Sequence, residues 1–115
     1  MIIVLATGGF DPIHSGHIAY LAAAKSLGDK LVVGVNSDAW LVRKKEKPFM
    51  PIAERKSVIS NLGVVDEVIE FNDNDGSACD AIKQVRLMYP DDKIIFANGG
   101  DRGSNNTPEM RMSMV

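Results

Sequence analysis

Two histidines, His14 and His17, stand three positions apart in one short stretch that reads Gly8-Gly9-Phe10-Asp11-Pro12-Ile13-His14-Ser15-Gly16-His17. Glycines at 8 and 9 let a backbone come close to a ligand. A helix starting behind them offers unpaired N–H groups and the positive end of its dipole, which together make an anion site. Side chains three apart at a helix start leave the same face. Two imidazoles there can donate hydrogen bonds and stabilise negative charge developing on a phosphoryl group. A lone histidine at such a place more often caps or packs; the pair behind Gly-Gly points to chemistry. No metal site is expected, because no third and fourth protein ligands accompany the pair. The stretch has neither the Lys-Ser/Thr of a P-loop nor the G-x-G-x-x-G of a dinucleotide fold, which disfavours a standard kinase or dehydrogenase.

Arg55 falls three residues after Ile52 and four before Ile59, on the apolar stripe of its own predicted helix. An inward-leaning guanidinium needs an anionic partner; the alternative is a long stem lying along the edge of the core. Trp40, the only tryptophan, can stack on a base or cover the sheet edge. Cys79, the only cysteine, has no partner in the chain and reads as a structural residue near an apolar stripe.

The elements that must position these residues follow from hydrophobic patterning. Residues 2–6 (IIVLA) form a continuous apolar run, as in a strand buried on both faces. Residues 15–27 have helical spacing and close at Gly28, and 30–35 (KLVVGV) read as a second strand stopped by Asn36-Ser37-Asp38. The basic stretch 43–48 is expected to be an exposed loop. A helix over 52–62 opens behind Pro51, 65–71 is a third strand, and the polar turn 73–77 is expected to cap a helix over 78–89. Residues 93–97 (KIIFA) form a fourth strand. The alternation predicts one α/β domain over 1–115: a doubly wound parallel sheet of about four strands in the order 3-2-1-4, with helices on both faces. In that order the carboxyl ends of strands one and four meet at the switch point, so the loops at 8–17 and 98–102 come together where ligands bind.

With 13 Lys+Arg against 15 Asp+Glu the formal net charge is −2, which speaks against a dedicated nucleic-acid binder. No apolar run approaches the roughly 20 residues of a membrane span. The first residues carry no basic leader, so a cytoplasmic protein is the expectation.

The stretch 8–17 matches G-x-F-D-x-x-H-x-G-H, and on it the chain resembles the cytidylyltransferase-like nucleotidyltransferases, with a Rossmann-like fold. Leu27 to Val33, Asn36-Ser37-Asp38, Glu54-Arg55-Lys56 and Val65 to Val68 extend the likeness toward the glycerol-3-phosphate cytidylyltransferase and heptose-phosphate nucleotidyltransferase branch. The resemblance implies transfer of CMP or AMP from CTP or ATP to a phosphorylated acceptor such as glycerol 3-phosphate or a sugar phosphate. Pyrophosphate leaves, Mg²⁺ accompanies the nucleotide, and no covalent enzyme intermediate forms. It further implies His14 and His17 as transition-state stabilisers, Lys44, Lys45 and Arg55 as phosphate ligands, and Thr7, Gly8, Gly9, Phe10, Asp11, Gly16, Gly99, Gly100 and Asp101 as the nucleotide pocket. For Lys44 and Lys45 a solvated loop is the alternative. Asp11 either orients the loop through backbone N–H groups, binds an acceptor group or makes a plain Asx-turn. Asp101 would accept from a base amino group or ribose hydroxyl, hold the metal, or be an ordinary loop residue.

Residues 103–115 contain no counterpart of the R-T-x-G-I-S-T-T-like motif with which the family contacts the triphosphate. They offer an N-cap candidate at Thr107 and a short Met-rich helix start. Three readings follow: a chain shortened after about residue 103, a second subunit that completes the site, or a nucleotide-binding or regulatory domain without turnover. An uncovered edge beside strand four would favour a homodimer.

Overall fold

The computed structural model describes residues 1–45, 48–97 and the backbone of 113–114. Its elements are β1 (Ile2–Gly8), α1 (Ser15–Lys25), β2 (Lys30–Val35), α2 (Asp38–Lys45), α3 (Ile52–Ser60), β3 (Glu67–Glu70), α4 (Cys79–Met88), β4 (Lys93–Ala97) and β5 (Ser113–Met114). The sheet order is β3-β2-β1-β4-β5. β1 lies parallel between β2 and β4, with Val4 opposite Leu31 on one side and Ile95 on the other, and β3 lies parallel to β2. The first four strands thus stand in the order 3-2-1-4 expected from the alternation.

Alternate residues of β1 enter two different cores, which is why its sequence is apolar without alternation. Val4 and Ala6 pack with Leu31, Val33, Leu21 of α1 and Ile59 of α3. Ile3 and Leu5 pack on the opposite face with Val32, Ile94 and Val85 of α4. This burial stabilises by about 1.5–3 kcal/mol per large aliphatic side chain, and it holds the rim from which the loops project.

Four expectations need correction or sharpening. Residues 43–45 are not a loop: they form the last turn of α2, where three cations oppose the negative end of the helix dipole. Within the polar turn 73–77 it is Ser77 that meets the following helix, its hydroxyl accepting the Cys79 N–H at 3.3 Å, and not Asp73, whose carboxylate reaches back to the start of α2. Cys79 is exposed, since Ala81 and Val85 define the buried side of α4 and position 79 lies away from it. Residues 113–114 pair antiparallel with Ile95 and Phe96 instead of continuing a helix, because the edge of β4 has backbone groups to satisfy. Two residues of that edge are thus paired within the chain itself. Gly99, Gly100, Asp101 and Thr107 lie outside the described residues.

Candidate functional site

The carboxyl ends of β1, β2 and β4 form one rim, with Ala6 of β1 opposite Val33 and Ala97. Tyr20 of α1 donates its hydroxyl to the Ala97 carbonyl at 2.7 Å, so the first helix is tied to the point where β4 ends.

After Gly8 the chain turns sharply. The left-handed backbone falls on Phe10 (φ 52°) and on neither of the glycines before it. Such a conformation costs a bulky residue roughly 1–3 kcal/mol, and burial offsets it. The Phe10 ring is 3% exposed and lies over Gly8, where an added Cβ would sit 3.0 Å from the ring. Gly9 is crowded by Leu41 and Trp40 of α2, whose side chains approach its Cβ position at 3.1 and 3.4 Å. The glycines therefore make room for protein side chains, and only Gly9 of the two lines the cleft.

His14 is the N-cap of α1 and His17 its third residue, and the two rings bond reciprocally to the backbone. Nδ1 of His14 accepts from the Gly16 N–H at 3.0 Å, and Nδ1 of His17 accepts from the His14 N–H at 3.2 Å. An Nδ1 that accepts carries no proton, so each ring is the neutral tautomer with its N–H on Nε2. The two imidazoles lie with centroids 4.1 Å apart at a tilt of 30°, and Phe10 and His17 meet in a T-shaped pair with centroids 5.1 Å apart. Burial, and then the proximity of His14, hold the His17 pKa below its ordinary value of 6.5. Gly16 is required by this arrangement: a Cβ there would stand 2.8 Å from Cε1 of His14.

The opposite wall is α2. Its first turn is capped by Ser37, whose hydroxyl accepts the Trp40 N–H at 3.0 Å. Lys44 Nζ lies 4.7 Å from the centre of the Trp40 ring. Lys45 Nζ is held by Asp11, at 3.0 Å from its carboxylate and 2.6 Å from its carbonyl. Burial opposes ionisation of Asp11, but the N–H of Phe49, the Lys45 ammonium and the N–H of Met50 outweigh it and hold the carboxyl below its usual range. Asp11 thus ties its own loop to the end of α2 and to the segment after it.

Arg55 stands behind the wall and not in it. The residue is 1% exposed, and its guanidinium donates to the carbonyls of Met50 (2.9 Å), Gly9 (2.9 Å) and Asn36 (2.7 Å) and pairs with Asp38 at 2.6 Å. Its anionic partner is a carboxylate of the chain, and its donors fasten the Gly9 turn to the end of β2. Thr7, Gly8 and Gly16 likewise support the cleft without lining it. The open cleft, about 460 Å³, brings His14, His17, Lys44, Lys45, Trp40 and Phe10 together. Sequence reasoning missed Pro12 and Leu41, which also line it, and Asp38 and Asp73, which hold its walls. Ser37 ahead of a helix was a local signal for α2; the partners of Asp38 and Asp73 lie too far along the chain to be paired from spacing. Among the described residues no group of three His, Cys, Asp or Glu could hold a metal ion, and no helix is long and apolar enough to cross a membrane.

The family model described as cytidylyltransferase-like matches residues 5–113. The chain is 40% identical over 101 residues to the bifunctional protein HldE of Proteus mirabilis and 45% identical over 101 residues to that of Photorhabdus laumondii. Each match covers 86% of this chain and 20% of the relative, so the chain spans about one fifth of the length of these curated relatives. A lipopolysaccharide core biosynthesis protein from Thermoplasma volcanium superimposes with a TM-score of 0.64 at 38% identity, over 76% of this chain and 67% of that one. With a family match that spans residues 5–113, the chain belongs to the cytidylyltransferase-like nucleotidyltransferase family.

Proposed function

We propose that this chain transfers CMP or AMP from CTP or ATP to a phosphorylated small molecule, releasing pyrophosphate. The observation that carries the reading is the reciprocal cap at the start of α1. It fixes two neutral imidazoles with Nδ1 occupied by backbone, so that Nε2–H of each is the donor left for a ligand in the cleft. In the transfer an oxygen of the acceptor phosphate attacks the α-phosphorus, and the bond from that phosphorus to the bridging oxygen of pyrophosphate breaks. Charge builds on the α-phosphoryl oxygens and the leaving group, where preorganised N–H donors and the α1 dipole stabilise it. Lys44 exchanges its contact with Trp40 for a phosphate, and Trp40 offers a face for the base. The described residues do not make a metal site, and the Asp11 carboxylate is occupied by N–H groups and Lys45. Mg²⁺ is therefore proposed only as the companion of the triphosphate, and no step is drawn through it. The likeness to a lipopolysaccharide core biosynthesis protein favours a sugar phosphate as acceptor over glycerol 3-phosphate.

The test is pyrophosphate release with CTP or ATP, Mg²⁺ and a panel of sugar phosphates and glycerol 3-phosphate, beside His17→Ala. Release that needs both an acceptor and His17 is the expected result. Nucleotide binding without release for any acceptor would replace transfer by a binding or regulatory role.

A further inference from the structure

Asp73 is 2% exposed and takes no part in the transfer just described. One carboxylate oxygen accepts from Asn36 Nδ2 at 3.0 Å and from the Ser37 N–H at 2.8 Å, and the other accepts the Ser37 hydroxyl at 2.7 Å. Its own carbonyl accepts from the Arg43 guanidinium at 2.9 Å. Ser37 caps the first turn of α2 and Arg43 lies in its last turn. A single residue of the β3–α4 connection therefore grips both ends of one helix. That helix has eight residues and buries only Leu41. So short a helix is not stable by itself, and little apolar packing sets where it lies. Its place depends on the contacts at its ends, and it carries Trp40, Lys44 and Lys45 to the cleft.

We infer that Asp73 is a positioning residue for phosphate binding, which by clasping Ser37 and Arg43 sets the place of α2 and, through it, of Lys44. The inference rests on the nucleotidyl-transfer reading of the same cleft. Three donors converge on the carboxylate. A carboxamide of the same size keeps its oxygen for the two N–H donors and turns its NH₂ to the Ser37 hydroxyl, which can accept, so Asp73→Asn removes the charge and weakens the clasp without opening a cavity.

The experiment follows Trp40 emission during titration with inorganic tripolyphosphate, in the wild type, Asp73→Asn, Lys44→Ala and the double variant, with steady-state kinetics on the same proteins. Asp73→Asn is expected to weaken tripolyphosphate binding about tenfold, the loss of roughly one charge-assisted hydrogen bond. The double variant should bind within about twofold of Lys44→Ala, because a clasp that acts through Lys44 has nothing left to position. In kinetics KM for the nucleotide should rise with kcat reduced less than about threefold, a pattern of lost ground-state binding. If Asp73→Asn does not fold, Arg43→Met, at an exposed residue, is expected to show the same non-additivity with Lys44→Ala. Unchanged affinity, or losses that simply add, overturns the clasp even when the wild type releases pyrophosphate. Non-additive tripolyphosphate binding without release for any acceptor sinks the transfer reading and keeps the clasp; failure of the wild type to bind tripolyphosphate sinks both.

Discussion

The two helices that wall the cleft are held in opposite ways. α1 fastens its own histidines: the bonds that orient His14 and His17 span two and three residues, and Leu21 and Ala24 bury the helix against the sheet. α2 buries Leu41 alone and is fixed by residues from elsewhere, Asp11 on Lys45, Arg55 on Asp38 and Asp73 on Ser37 and Arg43, over separations of 17 to 36 residues. On the proposed function, the groups that meet a transition state sit on the locally built wall, and those that gather phosphates sit on the wall held by distant contacts. The contrast predicts that damage to α1 shows in kcat and damage to α2 in KM.

The largest effect expected is at Arg55, which couples the walls. Arg55→Met leaves three carbonyls without their donor and Asp38 without its cation, at a cost of about 3 kcal/mol or more. Thermal unfolding should fall by more than about 10 °C. A melting midpoint close to wild type with activity abolished would instead return Arg55 to the role of phosphate ligand. Next is His17→Ala, which removes one donor and one half of the cap. A fall in kcat of about 10²–10³ is expected, against a stability change of about 1 kcal/mol. Equal loss in kcat and in folded population would dissolve the distinction between the walls.

Legibility in the sequence follows the same division. The unalternating runs at 2–6, 30–35 and 93–97 reveal a sheet buried on both faces, and the switch point between β1 and β4 follows from connection order alone. His14 and His17 stand out as a pair by spacing at a helix start, a local signal, whereas their capping of that helix is the reading set aside for a pair and is seen only in the structure. The last turn of α2 lies in the basic stretch 43–48 expected as a loop, because one buried leucine makes no stripe, and the contacts that shape the helix come from Asp11, Arg55 and Asp73. For Arg55 the pattern left an anionic partner or a stem along the core edge, and which anion it meets, a ligand or Asp38, is a question of tertiary contact. Phe10 shows the same limit: two glycines advertise a left-handed turn, and the strain lands on the aromatic after them because its ring fills the space over Gly8.

A smaller and more selective effect is expected at Gly16. Gly16→Ala places a methyl 2.8 Å from the His14 ring, which must swing away and give up its bond to the N–H of residue 16. Alanine is a better helix former by about 0.8–1 kcal/mol, which offsets much of the lost cap. Turnover should drop about tenfold, in proportion to a donor displaced but not deleted, with the melting midpoint within a few degrees of wild type. A variant as active as wild type would mean that the His14 orientation does not matter to the reaction, and the locally built wall would reduce to His17.

The smallest effect expected is in the pH dependence of stability, and its sign tests the cap directly. Burial first, and His14 second, keep the folded His17 pKa below the ordinary 6.5. Between those two values the unfolded chain binds a proton that the folded chain does not, so stability rises with pH across that window. The contribution is complete above pH 6.5 and is lost as pH falls through the folded pKa, where the proton would also have to displace the His14 N–H from Nδ1. Denaturant midpoints measured between pH 8 and pH 5 should decline below 6.5 in the wild type. They should decline less in His17→Gln, whose side chain can return to the same N–H as the third residue of a capping box but has nothing to titrate. Parallel curves for the two proteins would show that the acid sensitivity lies elsewhere and that His17 does not depend on its neutral form to hold the start of α1.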